Sequence, residues 1–365
     1  MGRRERWPGT VRIGPRQVGA DEETYIIAEA GVNHNGDLSL ALAMVEAAAA
    51  AGADAVKFQA FDAERLVTHA AGVAGYQPGS SQREMLARLQ LQGEDFSAIA
   101  GQCAASKIDL LVTPFGPADL EMVLDLGPGA VKVASTDITN HPFLEAVGGA
   151  GLPVILSTGA ADLDEIAAAL DVLAGAGCGE LVLLQCVSSY PTPLHEANLL
   201  AIRTLAERFG APVGYSDHTT ELVTGQLAVQ VGACMLEKHF TLDPTMGGPD
   251  HAFSLRPVEL VAYIARVRSV VRGSLDEATL DADERGALGS GVKRVYAIEQ
   301  DVRAVARSSV TAAVAIAAGT KITRAMLTIK RPGGGIAPGE IDAVVGRVAA
   351  VDISRDTTLT PDMLR

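Results

Sequence analysis

Short apolar segments recur along the first three-quarters of the chain, and a stretch with helical character follows each of them. Eight such segments are almost continuously apolar, which is typical of strands buried on both faces of a parallel sheet. They span residues 25–31, 55–61, 110–115, 130–135, 153–159, 181–187, 211–215 and 234–236. Eight strand–helix units favour a closed (β/α)8 barrel. An open doubly wound sheet is the alternative, although no GxGxxG follows the first strand and no GxxxxGK[ST] loop is present.

The remaining segments have a different pattern and predict further parts of the molecule. Residues 1–24 are polar and contain Gly and Pro, which predicts an N-terminal arm with a short hairpin as one form of it. The barrel then covers residues 25–272. Residues 273–291 are acidic and lose the periodicity, so we interpret them as a linker. Short β-like segments and turns in residues 292–365 predict a small second domain.

Composition and charge narrow the range of partners. The chain has 365 residues and a net charge of −14, which argues against nucleic acid or an anionic membrane as a partner. Its four cysteines form no CxxC motif, which is typical of free thiols in a reducing compartment. The first residues lack the apolar core of a signal peptide, and no run approaches the ~18 apolar residues of a membrane span. We therefore expect a cytoplasmic protein.

Two histidines follow the seventh and eighth predicted strands. A helical crossover separates these strands, so they should be parallel neighbours whose carboxyl ends meet at one rim. His218 and His239 would then lie together, beside Lys238, Asp217 and Asp250. Two imidazoles in such surroundings predict a divalent-metal site that also holds an anion. The alternative is that each histidine is an ordinary polar residue at a strand end.

Polar residues also mark the ends of the other predicted strands, where barrels of this type carry their chemistry. They are Glu29, Asn33, His34, Lys57, Gln59, Thr113, Lys132, Ser135, Asp137, Ser157, Thr158, Ser188, Ser189, Tyr190 and Ser216. Strand alternation places Lys57 and Gln59 on one face, either the barrel interior or the helix layer. Lys57 and Lys132, with hydroxyls around them, predict a pocket for a phosphate and a carboxylate. Alternatively, both lysines pair with Glu29, Asp137 or Glu237 and only neutralise the interior.

At these residues the chain resembles the sialic acid synthases, the phosphoenolpyruvate-dependent N-acetylneuraminate synthase family. The matching motifs run from about Tyr25 to the C-terminus and are IIAEAGVNHNGDLSLA, AVKFQAF, VTPF, KVAS, VILSTG, YPTP, YSDHT, EKHFTLD, GPDHAFSL and KRPGGGI. The resemblance implies a TIM barrel followed by an antifreeze-like (SAF) α+β domain at residues 292–365. It also implies a domain-swapped homodimer in which each small domain covers the mouth of the partner's barrel.

The resemblance further implies a transferase that condenses phosphoenolpyruvate with an open-chain aldose resembling N-acetylmannosamine, giving a nine-carbon 2-keto-3-deoxy acid and phosphate. Its divalent metal, Mn²⁺ or Mg²⁺, would be held by His218 and His239. Its phosphoenolpyruvate site would comprise Lys57, Lys132, Thr113, Ser135, Ser157 and Ser216. Its aldose site would comprise Glu29, Gln59, Tyr190, Asp250 and Arg331, the last from the partner's small domain. Glu29 is the candidate for orienting the sugar hydroxyls or moving a proton.

Several positions depart from the family's pattern, and most of them concern the sugar. Asp137 stands where the family has a glutamate, and Ala160 stands where it has a methionine. An asparagine that contacts phosphate has no match in YQPGSSQREM, and an aromatic residue is missing near Arg303–Val305. The aldose is therefore open: N-acetylmannosamine, its 6-phosphate, mannose, or a diacetamido-trideoxy hexose leading to legionaminic or pseudaminic acid.

Two readings outside this reaction remain. A metal-dependent sugar aldolase or isomerase on the same barrel would need the metal and ignore phosphoenolpyruvate. A binding module is the non-enzymatic reading, because the small domain resembles ice-binding proteins. Its threonines are too scattered for a flat ice-binding surface; they include Thr311, Thr320, Thr323 and Thr328.

Overall fold

The computed structural model describes residues 6–365, and residues 1–5 of the predicted arm lie outside that range. A hairpin of two antiparallel strands comes first, β1 (Thr10–Ile13) and β2 (Arg16–Gly19). Eight parallel strands follow along the chain: β3 (Tyr25–Gly31), β4 (Ala55–Ala60), β5 (Asp109–Pro114), β6 (Val131–Val133), β7 (Val154–Ser157), β8 (Leu181–Gln185), β9 (Val213–Asp217) and β10 (Met235–His239).

The eight parallel strands form the predicted barrel. Hydrogen bonds join them in the order β5-β4-β3-β10-β9-β8-β7-β6, and the two end strands, β5 and β6, lie side by side. Most residues of these strands are buried, because helices cover the outer face and side chains fill the interior. All eight carboxyl ends therefore point to the same mouth.

Helices surround the barrel at α1 (Leu38–Ala50), α2 (Ala63–Leu66), α3 (Gln82–Leu89), α4 (Gly93–Ser106), α5 (Pro117–Asp125), α6 (His141–Gly148), α7 (Leu163–Gly175), α8 (Ala201–Phe209), α9 (Val223–Val231) and α10 (Pro257–Arg268). Local sequence explains their starts. Asp162 accepts hydrogen bonds from the first backbone amides of α7, as its sequence position predicts, and Glu165 completes a capping box. Among the described residues, no helix is long and apolar enough to cross a membrane.

The N-terminal hairpin closes the bottom of the barrel. Val11, Ile13 and Val18 are buried against interior residues of the strands, including Tyr25 and Leu111. An antiparallel pair can close this end because one of its faces is apolar while the other meets solvent. The hairpin does not cover the opposite mouth, at the carboxyl ends of the strands.

The segment interpreted as a linker also packs against the barrel. It contains α11 (Ala282–Leu288), and Leu280, Ala287 and Leu288 are buried in the barrel's outer core. Beyond it lies the small domain, with α12 (Gln300–Ala306), β11 (Ser309–Ala312), β12 (Leu327–Lys330) and α13 (Ile341–Val344). β11 and β12 are antiparallel, and the domain has its own apolar core.

The small domain lies over the mouth of the barrel of its own chain. Glu299 accepts hydrogen bonds from the backbone amides of Ala160 and Ser188, at 2.7 and 2.8 Å. Arg303 and Arg307 both form ion pairs with Glu165 of the barrel. The expectation that this domain reaches the partner's barrel therefore differs from the arrangement in the single chain, where the same chain supplies both surfaces.

Candidate active site

The carboxyl ends of the barrel strands open into one pocket beneath the small domain. The residues predicted for the metal, phosphoenolpyruvate and aldose sites line it: Glu29, Lys57, Gln59, Thr113, Lys132, Ser135, Ser157, Tyr190, Ser216, His218, His239, Asp250 and Arg331. Asp137, Asp217 and Lys238, which were also expected at the site, do not line it. Lys57 and Gln59 face the barrel interior, which decides between the two faces that strand alternation allowed.

Two buried lysines form the deep end of the pocket. Lys57 Nζ lies 2.8 Å from Glu29 Oε2 and donates to Thr113 Oγ1 at 3.1 Å. Lys132 Nζ donates to Ser157 Oγ at 2.7 Å. The lysines thus have carboxylate neighbours, as the alternative interpretation expected, and they also face a cavity. A cavity lined by two ammonium groups and several hydroxyls suits an anion.

Glu237 joins the two lysines. Its Oε2 lies 3.6 Å from Lys57 Nζ and 3.9 Å from Lys132 Nζ, and Ser216 donates to its Oε1 at 2.8 Å. Burial acts to raise the pKa of Glu237, but the two lysines outweigh burial and lower this pKa to about 2. Glu237 is therefore ionised at neutral pH and holds both cations in place.

The pKa of Glu29, the other carboxyl group beside Lys57, shifts in the opposite direction to that of Glu237. Burial raises the pKa of Glu29 by more than the attraction of Lys57 lowers it. For Lys57, burial acts to lower the pKa, but Glu237 and Glu29 outweigh burial and raise it. Burial lowers the pKa of Lys132. An anionic ligand would relieve the cost of keeping these lysines charged.

The two histidines lie beside each other, with ring centres 5.6 Å apart. His218 Nδ1 lies 2.8 Å from the carbonyl oxygen of Val187, so Nδ1 donates and Nε2 carries the lone pair, with Ser216 Oγ at 3.4 Å from it. His239 Nδ1 has no hydrogen-bond partner and lies 3.9 Å from Asp250 Oδ2. Burial lowers the pKa of both imidazoles. Both rings are therefore neutral, the form that binds metals.

These donors fit a divalent cation in part. Residues 6–365 contain no group of three or more His, Cys, Asp or Glu side chains arranged to hold a metal ion. His218 and His239 supply two neutral nitrogen donors, while Mn²⁺ and Mg²⁺ take more ligands than two. The side chains thus fit an ion whose coordination is completed by water or by substrate oxygens. Such a site depends on ligands for its affinity.

Lys238 and Asp217 lie outside the pocket, contrary to the expectation that they flank the histidines there. Their charged groups are 3.0 Å apart, and Lys238 Nζ donates to the carbonyl of Thr219 at 2.6 Å. The reason is the alternation of side chains along a strand. In β10, Glu237 and His239 point into the barrel, so Lys238 points to the helix layer.

Asp137 lies behind the wall of the pocket. Asn140 donates to its Oδ1 at 3.3 Å, and burial raises its pKa to about 6 although Arg331 acts to lower it. Arg331 does line the cavity and attracts the Asp137 carboxylate; its guanidinium lies over the Phe115 ring at 5.0 Å and donates to Thr136 Oγ1 at 3.4 Å. Asp137 is thus placed to act on a ligand through Arg331.

Sequence analysis missed several residues of the pocket. Glu237 appeared there only as a partner of the lysines. Tyr76 and Gln77 come from the insertion between β4 and α4, and Val302 and Ala306 come from α12. The Tyr76 ring lies 5.0 Å from that of Tyr190, whose ring lies 4.4 Å from that of His218. Strand alternation could have found Glu237, but no periodicity marks the others.

Comparisons with known proteins agree with this geometry. Residues 44–277 match the model of the NeuB family, and residues 307–365 match that of the SAF domain. The N,N'-diacetyllegionaminic acid synthase of Legionella pneumophila is 40% identical over 95% of this chain and 96% of its own. The spore coat polysaccharide biosynthesis protein SpsE of Bacillus subtilis has a solved structure with TM-score 0.82 and 30% identity, covering 98% of this chain and 99% of that one. The N-acetylneuraminic acid synthetase of Leptospira borgpetersenii, solved with citrate, has TM-score 0.65 and 34% identity, covering 80% and 94%.

Proposed function

The chain belongs to the NeuB family of sialic acid synthases, and we propose that it condenses phosphoenolpyruvate with an open-chain aldose resembling N-acetylmannosamine. The products are a nine-carbon 2-keto-3-deoxy acid and inorganic phosphate. One observation carries the proposal: Lys57 and Lys132 face the same cavity as His218 and His239. A site for a small, highly charged anion thus adjoins a site for a polarised carbonyl.

The deep end of the pocket is the proposed phosphoenolpyruvate site. Phosphoenolpyruvate carries a phosphate and a carboxylate, and the two lysines offer one ammonium group to each. Hydroxyl groups line the same end of the pocket and can donate to the remaining oxygens; they belong to Thr113, Ser135, Ser157 and Ser216. Because the lysines are already held by Glu237, little side-chain ordering is needed when the ligand binds.

The outer end is the proposed aldose site. Gln59 Nε2 donates to Glu29 Oε1 at 3.1 Å, which fixes the Glu29 carboxylate toward the cavity. Burial, followed by repulsion from Glu29, raises the pKa of Asp250 to about 7. Glu29 and Asp250 together can accept hydrogen bonds from sugar hydroxyls. Arg331, which is buried and cationic, can donate to the oxygen of an acyl group.

The reaction forms a bond between C3 of phosphoenolpyruvate and the aldehyde carbon. Water adds at C2, the bond between C2 and the bridging oxygen breaks, and the phosphate leaves with that oxygen. The oxygen of the added water becomes the C2 carbonyl oxygen; of its two protons, one balances the proton taken up by the aldehyde oxygen and the other leaves with the phosphate. A divalent cation held by His218 and His239 would supply Lewis-acid polarisation of the aldehyde oxygen. Glu29, a carboxyl group that lines the cavity, is the candidate for passing a proton to that oxygen. Holding both substrates in one cavity supplies ~7–11 kcal/mol of the barrier reduction.

A homodimer with exchanged small domains and a cytoplasmic location complete the proposal. In the single chain, Glu299 and Arg331 meet their own barrel. An exchanged dimer reproduces the same contacts between the same two surfaces, because only the connecting segment changes its path. Phosphoenolpyruvate is made inside the cell, which is why the cytoplasm is the proposed location.

The test is phosphate release by the purified protein with phosphoenolpyruvate, Mn²⁺ and each aldose of a panel. Phosphoenolpyruvate labelled with ¹⁸O at the bridging position adds a second readout. The proposal expects aldose-dependent release of phosphate that carries the label. Turnover of an aldose without phosphoenolpyruvate would instead support a metal-dependent aldolase or isomerase on the same barrel.

A further inference from the structure

The outer end of the pocket is closed by an apolar wall built from two distant segments. Tyr76 comes from the insertion after β4, and Val302 and Ala306 come from α12 of the small domain. These side chains pack in one cluster with Ala74 and Tyr190. The backbone amide of Gly75 donates to Asp301 Oδ2 at 2.6 Å and ties the two segments together. We call Tyr76, Val302 and Ala306 the outer wall.

Apolar side chains also line the pocket beside the outer wall. They belong to a second cluster of the insertion and the barrel rim: Val32, Met85, Leu86 and Phe115. Val302 and Ala306 are 7% and 8% exposed, so a ligand group that reaches them is removed from water. A hydroxyl that reaches Val302 and Ala306 would lose its hydrogen bonds to water and gain none from these two side chains. The polar atom of the outer wall is Tyr76 Oη, which accepts from Gln77 Nε2 at 3.4 Å.

Positive charge at this end is scarce. Among the described residues that line the pocket, the ammonium and guanidinium groups are those of Lys57, Lys132 and Arg331. The lysines lie at the deep end, and the charge of Arg331 is already opposed by Asp137 behind it. The carboxylates of Asp301 and Asp250 are close to the outer wall. A second phosphate would have to share Arg331 with Asp137 and would lie near two further carboxylates, and a poorly paired buried charge is costly.

These features determine which chemical group fits at the end of the aldose remote from the aldehyde. If the aldehyde lies by the histidines, the chain of an open hexose extends toward the mouth and its sixth carbon approaches the outer wall. We propose that the outer wall selects an unphosphorylated aldose whose end remote from the aldehyde is apolar, such as the methyl group of a 6-deoxy sugar. This inference rests on the proposed condensation and names the substrate class for it.

Three aldoses that differ only at the sixth carbon test the wall: N-acetylmannosamine, its 6-phosphate and its 6-deoxy counterpart, each with phosphoenolpyruvate and Mn²⁺. The expected kcat/KM is about tenfold higher for the 6-deoxy sugar than for the 6-hydroxyl sugar, and about a hundredfold lower for the 6-phosphate. A kcat/KM for the 6-phosphate or the 6-hydroxyl sugar that equals or exceeds that for the 6-deoxy sugar contradicts the proposed role of the outer wall and leaves the proposed condensation intact. Phosphate release with none of the three, and with neither mannose nor a diacetamido-trideoxy hexose, overturns the condensation and the wall with it.

Val302→Thr provides a matched variant because it keeps the shape of the side chain and adds a hydroxyl. In this variant, the ratio of kcat/KM for the 6-deoxy sugar to that for the 6-hydroxyl sugar should fall several-fold, and the KM for phosphoenolpyruvate should stay unchanged. Val314→Thr is the control, since Val314 is 45% exposed elsewhere on the small domain. The same narrowing in Val314→Thr, or none in Val302→Thr, would contradict the assignment.

Discussion

Glu29 and Lys57 form an ion pair inside the barrel, with 2.8 Å between Oε2 and Nζ and side chains that are 2% and 4% exposed. The two residues face each other across β3 and β4, where they are register partners. Neighbouring strands therefore fix the proposed proton donor beside an ammonium group of the proposed phosphoenolpyruvate site. The pair connects the two halves of the pocket, since Lys57 belongs to the proposed phosphoenolpyruvate site and Glu29 to the aldose site.

Glu29→Gln separates these two roles. The amide keeps the size of the carboxyl group and one of its two accepting oxygens, but it cannot transfer a proton. We expect kcat to fall about 10²–10⁴-fold, with a KM for phosphoenolpyruvate within a few-fold of wild type because Glu237 still holds Lys57. Steady-state kinetics with both substrates measure this, and thermal unfolding confirms the fold. A kcat close to that of wild type would remove Glu29 from proton transfer.

Arg331→Ala tests the aldose site from the side of the small domain. Arg331 is the guanidinium at the outer end, and both lysines remain in the variant, so the KM for the aldose should rise by tenfold or more and that for phosphoenolpyruvate much less. Arg347→Ala, on the exposed surface of the same domain, should behave as wild type. Equal increases in both KM values would place Arg331 outside the aldose site.

Exchange of small domains can be measured by mixing an inactive variant with one that has a raised KM for the aldose, at an aldose concentration far below that KM. A protein with His239→Ala has a defective barrel, and one with Arg331→Ala has a defective small domain. In an exchanged mixed dimer, one barrel and one small domain without substitutions meet, so mixing after unfolding and refolding should restore up to about a quarter of wild-type activity. No recovery, with mixed dimers shown by mass spectrometry, would mean that each small domain serves its own barrel.

The contact between the domains should depend on pH through Glu165. Burial acts to raise its pKa, but the hydrogen bonds from Arg307 and Arg303 outweigh burial and lower this pKa from 4.5 to about 2. A pKa depressed in the folded state stabilises the protein above about pH 4.5, and the contribution is lost as pH falls from there toward about 2. Glu165→Gln should therefore lower the free energy of unfolding by about 1–2 kcal/mol at pH 7, after screening by solvent.

Denaturant unfolding of wild type and Glu165→Gln between pH 7 and pH 3.5 checks this dependence. The difference in the free energy of unfolding between the two proteins should be constant above pH 5 and should decrease below it. Glu145→Gln is the control, since Glu145 is exposed on α6. A difference that is independent of pH would show that the arginines stabilise the contact without the ionised Glu165.

The barrel and most of its pocket could be predicted because buried parallel strands leave continuous apolar runs, and their ends share one rim. Alternation along β10 contains more than the sequence analysis used. Once His239 is placed in the pocket, Glu237 must point the same way and Lys238 the opposite way. The positions of Glu237 and Lys238 thus follow from a rule that was already at hand.

The outer end of the pocket could not be predicted in this way. Gly75 and Asp301, whose hydrogen bond joins the insertion to α12, are 226 positions apart in the chain. Neither segment has a periodic pattern, and only the docking of the small domain brings Tyr76 and Val302 together. The surroundings of Asp137 were unpredictable for a related reason, because the charge that acts on it, Arg331, comes from the small domain.

Metal-dependent phosphate release by wild type and by His239→Ala tests the central claim most directly, with bound Mn²⁺ followed by electron paramagnetic resonance. Wild type should bind Mn²⁺ and release phosphate from phosphoenolpyruvate when an accepted aldose and Mn²⁺ are present, and a chelator should stop it. His239→Ala should fold normally yet lose both the binding and the turnover, whereas His195→Ala, exposed on the surface, should keep them. Full activity of His239→Ala in chelated buffer would contradict the account.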